Sequence, residues 1–431
     1  MVEPCVAPSV VKVTRRSNPL TWLLALAAAV LALLLLINLA SRTPVYEGRP
    51  DTVLVAPTAD PRAVLLQALD SVTVRAADVF AASPWQRRLY GRAYRDAWHA
   101  PVTVPVLRLD TLAGGLAPED MGGGFQTLSL DLRDGAGVVY TLRSVAKAPD
   151  ELMPAWAPAL GVDNIVADGL SAGHPYGASA AAALAELAGL PHMRPRLYYV
   201  PRQPALDTFA ARFGDRLFWL EYEPEGDEAP YMPLADFEDW EDSDDVFEAW
   251  RGDSLTAKPD RRALLRNRLF DMWLGDWDRH DGQWGWAESE DADGVSTYLP
   301  VANDRDNVFY GVSGFYPLLI AAFERRLQPF GPRIDDVPGL TKNSAPFDCA
   351  FLFGLPERAF VEEAEALVPL LTDVGIEAAV RRAWPREIYA LDGERIVGYL
   401  KSRRGDLVAA ARAFHEVIHD RGPSDTVEND H

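Results

Sequence analysis

The sequence predicts an α+β fold of two lobes with a cleft between them, preceded by one transmembrane helix. Three observations predict it. Residues 101–222 carry short alternating apolar–polar runs punctuated by glycine turns, and residues 261–418 carry apolar positions at helical spacing. Residues 22–40 form an uncharged Leu/Ala-rich run. A chain of 431 residues, 48% hydrophobic and 24% charged, buries one large core or two moderate ones. The formal net charge of -21 argues against nonspecific nucleic-acid binding, because a phosphate backbone is repelled. Cys5 and Cys349 lie far apart in the sequence and build neither a disulfide framework nor a zinc site.

Residues 1–21 carry Lys12, Arg15 and Arg16 ahead of the apolar run, whereas Arg42 and Arg49 beyond it are offset by Glu47 and Asp51. The run exceeds the h-region of about 7–15 residues in a signal peptide, and 38–40 (Asn-Leu-Ala) lacks a small residue at its first position. The expectation is a retained single-pass anchor in a bacterial inner membrane. Its basic flank is cytoplasmic and the main domain is extracytoplasmic. Residues 41–100 follow as a linker and helical lead-in, with Ala63, Leu65, Leu66 and Leu69 at helical spacing.

The β-rich lobe, 101–222, begins its clearest hairpin after Gly122, Gly123 and Gly124. Runs 125–132 and 138–145 alternate and are joined by Arg133-Asp134-Gly135-Ala136-Gly137. An alanine-rich helix over 178–188 and a strand over 196–200 complete the lobe. Residues 223–260 read as an acidic exposed insertion with short helices. Beyond them, helices are predicted over 261–274, 318–327, 357–371, 376–384 and 396–418, with a strand over 297–301. The tail, 419–431, is polar and expected to be disordered.

The chemistry concentrates in two runs, Asp278-Arg279-His280-Asp281-Gly282-Gln283 and Asp304-Arg305-Asp306-Asn307-Val308-Phe309. A carboxylate and a side-chain amide five positions apart match the spacing of the base and metal-binding amide in the H-R-D-x-x-x-x-N loop of kinases. One loop aims Asp278 at an acceptor hydroxyl while Gln283, one turn on, reaches a metal. Asp304 or Asp306 then supplies the charged ligand, Mg²⁺ or Mn²⁺ being the expected ion. Arg279 and His280 read as structural, orienting Asp278 or pairing with a carboxylate. Trp277, Trp284 and Trp286 read as core or cleft wall. Upstream, a glycine run entering a hairpin lets backbone N–H groups approach phosphates. Thr141, Arg143, Val145 and Lys147 share a strand face, so Arg143 or Lys147 is the candidate cation for the phosphates of ATP or another nucleotide. Glu186 is its candidate partner, beside the ordinary reading of a solvated helix residue. His174, next to Pro175 before a helix, reads as a loop or cap residue.

The run from Gly275 to Gln283, with Asn303 to Phe309, resembles the catalytic and metal loops of the atypical kinase-like superfamily. That group includes HipA-type toxin kinases, CotH spore-coat kinases and the secretory-pathway casein kinases. A closer likeness is to bacterial envelope proteins of no established activity. These share His174-Pro175-Tyr176, the 140–145 strand, the Gly-Asp-Trp-Asp-Arg-His-x-x-Gln-Trp block, Leu371-Thr372-Asp373 and the basic helix at 400–404. The likeness covers roughly 105–415. It implies a protein-kinase-like fold with a β-rich N-lobe and a helical C-lobe. It also implies Asp278 as base, Gln283 and Asp304 as metal ligands, and Arg143 or Lys147 as phosphate-binding cation. Asp276 stands where these kinases have Asn, Gln283 where they have Asn or Glu, and Arg143 where a strand Lys is expected. The resulting expectation is a membrane-anchored kinase-like protein that binds nucleotide and metal and acts on a protein or small-molecule acceptor. The alternative is a catalytically inactive pseudokinase-like envelope scaffold. A two-metal phosphohydrolase lacks its second His/Asp-rich cluster.

Overall fold

The computed structural model describes residues 19–40, 52–55, 69–122, 127–147, 168–224 and 237–428, apart from the side chains of residues 34 and 37–40. Within these residues the strands are β1 (Val53–Leu54), β2 (Ser71–Arg75), β3 (Val102–Pro105), β4 (Leu116–Pro118), β5 (Ser129–Asp134), β6 (Val139–Ser144), β7 (Arg196–Val200), β8 (Arg216–Glu223), β9 (Asp239–Glu241), β10 (Ala257–Pro259), β11 (Trp284–Glu290) and β12 (Ser296–Ala302). The helices of eight or more residues are α1 (Pro19–Ala40), α2 (Gly177–Ala188), α3 (Ser243–Gly252), α4 (Arg261–Leu274), α5 (Phe315–Phe323), α6 (Ala345–Leu352), α7 (Glu357–Leu367), α8 (Asp373–Ala383), α9 (Glu394–Arg404) and α10 (Leu407–Arg421).

A five-stranded antiparallel sheet in the order β4-β5-β6-β8-β7 forms the β-rich part. The 133–137 turn closes the β5–β6 hairpin, with Asp134 Oδ1 accepting from the N–H groups of Ala136 and Val138. Helix α2 crosses from β6 to β7. Its alanines 180, 181 and 185 are fully buried, and their small size lets neighbours approach closely, so that Leu187 packs on Gly375 of α8. A four-stranded sheet, β10-β12-β11-β9, lies beside α4 in the second half, and His192 bridges to Ala302 at the end of β12. A three-stranded sheet, β1-β2-β3, precedes both.

Helix α4 sets the geometry of everything downstream. Asp260 caps its start, accepting from Arg262 and Ala263 N–H. Gly275 ends it in the left-handed region (φ +70°), and its N–H returns to Asp271 and Met272 carbonyls. A Cβ at Gly275 would lie 2.8 Å from the Phe330 ring, so glycine is required for packing as well as for φ. The carbonyls left over at that end are met by buried Arg403 of α9, whose guanidinium donates to Trp273 O (2.8 Å) and Met272 O (2.6 Å).

A buried ion network then fastens the two candidate loops to α4. Asp271, fully buried, accepts from Arg305 Nε (2.8 Å) and Arg268 (3.1 Å), and lies 3.3 Å from Arg279 Nε. Arg268 also reaches Asp348 (2.7 Å), and Arg279 reaches Asp276 (2.8 Å). Three arginines face three aspartates, so the cluster is neutral. Arg279 further donates to the carbonyls of Gln283 (3.0 Å) and Asn303 (2.6 Å), one in each loop.

Several expectations change. Among the described residues no helix is long and apolar enough to cross a membrane. The anchor at 22–40 is therefore withdrawn, together with the single-pass inner-membrane placement and the extracytoplasmic assignment. Residues 71–75, inside the stretch read as helical, form β2, and the Val-Thr-Val alternation there explains why. The segment predicted as one helix over 396–418 is α9 and α10, parted at Gly405-Asp406. Residues 284–290, read only as core tryptophans, form β11. The tail runs past α10 to place Val427 in the core, with Arg251 of α3 holding Asp425. Part of the acidic insertion, 225–236, lies outside the described residues.

Removing the central carboxylate strands Arg279 and Arg305 in the interior. Asp271→Ala is expected to lose about 3–5 kcal/mol of unfolding free energy in urea titration. A loss below about 1 kcal/mol would show that the loops are held by other contacts.

Candidate functional site

The two loops meet at the C-terminal end of α4. Phe309 N–H donates to Leu274 O (3.2 Å) and Asn303 N–H to Gln283 O (3.0 Å), closing both onto one backbone frame. Asp304 sits in the left-handed region (φ +49°), a conformation that aspartate tolerates better than most residues. The turn there sends Arg305 inward to Asp271.

Asp278 is gripped from three sides. Its N–H donates to Asp276 Oδ1 (3.2 Å). Asn307 Nδ2 donates to its Oδ2 (2.8 Å), and Asn343 Nδ2 reaches its carbonyl (3.1 Å) and Oδ1 (3.4 Å). Asn307 turns its other end to Lys147 Nζ (3.3 Å), which pairs with Asp306 Oδ2 (2.8 Å). The basic position beyond β6 is thereby brought to both loops. Arg143, on β6, lies across from β8 and pairs instead with Glu223 (3.2 Å) and Glu221 (3.7 Å), with Asp304 adding to its field.

Charge is unevenly balanced here. Burial pushes Asp278 up to about 7; Lys147 opposes this, while Asp276, Asp306 and Asp304 add to it. Burial likewise lifts Asp306 to about 6, with Asp304 adding to the shift and Lys147 opposing it. Glu221 rises to about 8 through burial, against Arg143 and with help from Asp304. Burial alone would lower Lys147, but Asp306, Asp304 and Asp278 outweigh it and the ammonium stays charged. Among the described residues, Asp278, Asp304, Asp306 and Glu221 thus face the two cations Lys147 and Arg143.

Three buried oxygens in these loops have no hydrogen-bond partner among the described residues: Gln283 Oε1, Asn303 Oδ1 and Asp306 Oδ1. All are acceptors, and acceptor oxygens in an excess of negative charge suit a hard divalent cation. The carboxylates do not close into a ready cage. Among the described residues the one set of three His, Cys, Asp or Glu ligand atoms within 4.8 Å of one another is Asp239, Glu241 and Glu288, at the β9–β11 edge.

The remaining candidates fall elsewhere. Gly122 lies over β5, where a Cβ would meet Ser129 Oγ at 3.1 Å; Gly123 and Gly124 are outside the described residues. Glu186 pairs with neither Lys147 nor Arg143; it reaches Arg382 (2.7 Å) and Arg194 (3.9 Å) at the surface. Arg279 is structural, as expected. His174 is buried, stacked on Trp384 (4.3 Å), and its Nδ1 accepts the Tyr176 N–H within the loop ahead of α2, the loop role among the two expected for it. Sequence reasoning missed Asn307 and Asn343 as holders of Asp278, and Glu221 and Glu223 as partners of Arg143. Asn307 lies in the Asp304–Phe309 run and its amide was there to be weighed. Asn343 carries no local signal.

No protein-family model matches this chain, and no curated protein matches it. Among solved structures it is similar to the Helicobacter pylori proinflammatory kinase CtkA, at 11% identity over 70% of this chain and 95% of that one, with a TM-score of 0.35. It is also similar to a chain of the Shewanella oneidensis MR-1 toxin–antitoxin complex of HipA, HipB and operator DNA, at 13% identity over 74% and 76%, with a TM-score of 0.27.

The raised carboxylates give stability a pH dependence of definite sign. Glu221 and Asp278 bind protons more tightly folded than unfolded. Their contribution is whole below about pH 4 and is lost as pH rises through about 7 for Asp278 and about 8 for Glu221. The Tm of metal-free protein is therefore expected to fall between pH 5 and pH 9 from these groups. Glu221→Gln flattens the part of the fall above pH 7, and an unchanged slope in that variant contradicts the assignment.

Proposed function

We propose that the chain is a kinase-like phosphotransferase that uses a divalent metal, Mg²⁺ or Mn²⁺, and a nucleotide such as ATP. The observation that carries this reading is Asp278. It is a half-buried carboxylate whose pKa is pushed up to about 7, oriented by Asn307 and Asn343 beside the Lys147–Asp306 pair. A general base is most effective when its pKa lies near the working pH. Asp278 accordingly takes the proton of an acceptor hydroxyl. Gln283, Asp304 and Asp306 hold the metal, and their unpartnered oxygens Gln283 Oε1 and Asp306 Oδ1 support that role. Bound there, a divalent cation supplies positive charge for phosphate oxygens. Lys147 and Arg143 supply the remaining cations to the phosphates.

One observation favours a second reading, a catalytically silent nucleotide- or partner-binding protein. Both candidate cations already have carboxylate partners, Lys147 with Asp306 and Arg143 with Glu223. A nucleotide must displace these contacts or share them.

Thermal unfolding of the full chain with each nucleotide–metal pair, beside a phosphate-transfer assay, separates the two. The phosphotransferase reading expects stabilisation of roughly 2.7 kcal/mol at a hundredfold excess over Kd. Asp304→Ala abolishes the stabilisation. Asp278→Asn keeps it and loses about 10²–10⁴-fold in transfer rate. Stabilisation of the unsubstituted chain without any transfer favours the silent reading, and no stabilisation by any pair sinks both nucleotide-binding readings.

A further inference from the structure

The last helix carries a motif that takes no part in the cleft. Residues 415–419 of α10 read His-Glu-Val-Ile-His. Histidines four positions apart lie one turn apart on the same face of a helix, the H-E-x-x-H arrangement that presents two imidazoles to one metal ion. Such pairs also stand on plain solvated faces, and what distinguishes this one is its geometry.

Helix α10 packs on α4, α6 and α7 and buries Leu407, Ala410, Ala411, Phe414 and Ile418. The histidines stand beside that stripe, His415 half-buried and His419 exposed. Phe360 of α7, fully buried, meets the His415 ring edge-on, with 5.2 Å between ring centres and 74° between planes, and so limits its rotation. The His415 and His419 rings lie 6.1 Å apart, centre to centre, with 36° between their planes. Metal–nitrogen bonds of about 2.0–2.1 Å put two imidazoles on one ion with their centres roughly 5–6 Å apart. A small rotation of the exposed His419 therefore closes the pair. Among the described residues neither imidazole has a hydrogen-bond or ion-pair partner that a metal would have to displace.

The surrounding charge favours a cation. Glu416 and Asp420 are exposed on the same two turns. Arg412, one turn before His415, is taken up by Glu357 of α7 (3.3 Å), and Arg421 donates to Thr341 O (3.1 Å). The donor atoms select the metal. Imidazole nitrogen suits Zn²⁺, Ni²⁺ and Cu²⁺, whereas Mg²⁺ takes oxygen. The pair is thus chemically separate from the carboxylates and amides of the cleft. No third His, Cys, Asp or Glu ligand atom among the described residues closes on the two imidazoles. The remaining coordination positions stay open to water or an external ligand, and no hydrolytic step is assigned.

We propose that His415 and His419 form a second metal site, a two-imidazole clip for a late first-row divalent cation, Zn²⁺, Ni²⁺ or Cu²⁺, on the outer face of α10. The assignment stands independently of the phosphotransferase reading.

Calorimetric titration of the full chain with Ni²⁺, in an excess of Mg²⁺ that occupies oxygen sites, tests it. Saturable binding of a first equivalent is expected. His415→Ala and His419→Ala each leave a single imidazole and are each expected to weaken that binding about tenfold or more. His419 is exposed, so its substitution tests the site without disturbing the core. Glu241→Gln, in the carboxylate set at the β9–β11 edge, is expected to leave Ni²⁺ binding unchanged. With Cu²⁺ in place of Ni²⁺, the electron paramagnetic resonance spectrum is expected to show nitrogen coupling that His419→Ala reduces. Absence of saturable Ni²⁺ binding, binding undiminished by either histidine substitution, binding lost in Glu241→Gln, or a Cu²⁺ spectrum without nitrogen coupling overturns the proposal.

Discussion

Asp271 is the residue on which the arrangement depends. It sits one turn before the end of α4, fully buried, and takes Arg305 from one loop while facing Arg279 of the other. A buried carboxylate among arginines does not raise stability over a well-packed apolar cluster as a rule. What it supplies is specificity of position. Guanidinium groups have fixed fork geometry, and an arginine donating simultaneously to Gln283 O and Asn303 O sets the spacing of two loops that are distant in sequence. The candidate chemistry is thus built on a rigid polar core rather than on loop packing. Arg403 completes the frame by meeting the carbonyls at the end of the same helix.

Much of the local structure was legible because it follows from backbone chemistry. Helix α4 has the bounds predicted for it, 261–274, and the structure adds the caps, Asp260 at its start and Gly275 at its end. The β5–β6 hairpin was legible from Asp134-Gly135 and strand β7 from its apolar run. What escaped was determined by partners far along the chain. The short strands β9 and β10 carry too few residues for a periodic signal. Strand β11 mixes tryptophan with glycine because Gly285 lies against the Trp240 ring, a packing need with no sequence period. The single long helix expected over 396–418 was parted at Gly405-Asp406, where Asp406 accepts from Ile334 N–H. The apolar run at 22–40 is continuous in composition, yet composition alone did not establish a membrane span.

The candidate site was legible in its parts rather than in its pairing. The carboxylates and the amide were visible because their spacing lies within one loop each. Which cation meets which carboxylate depends on tertiary contact, and the choice of Glu186 as partner failed for that reason. Arg143 is opposed by Trp219 and reaches along β8 to Glu221 and Glu223, two and four positions on, on the same sheet face and within the span of its long side chain. The surplus of acid over base at the cleft was not visible either, because it arises only when β6, β8 and two loops converge.

Asn307 has a consequence for the two oxygens of Asp278. Its amide hydrogen occupies Oδ2 at 2.8 Å, while Lys147 fixes the opposite, carbonyl end of the same amide. The amide therefore cannot flip without setting its NH₂ against the ammonium. Oδ2 thus carries the short contact, whereas Asn343 approaches Oδ1 only to 3.4 Å. The carboxylate is thereby handed: one side-chain amide fixes which of its two oxygens carries the short contact and which the long one.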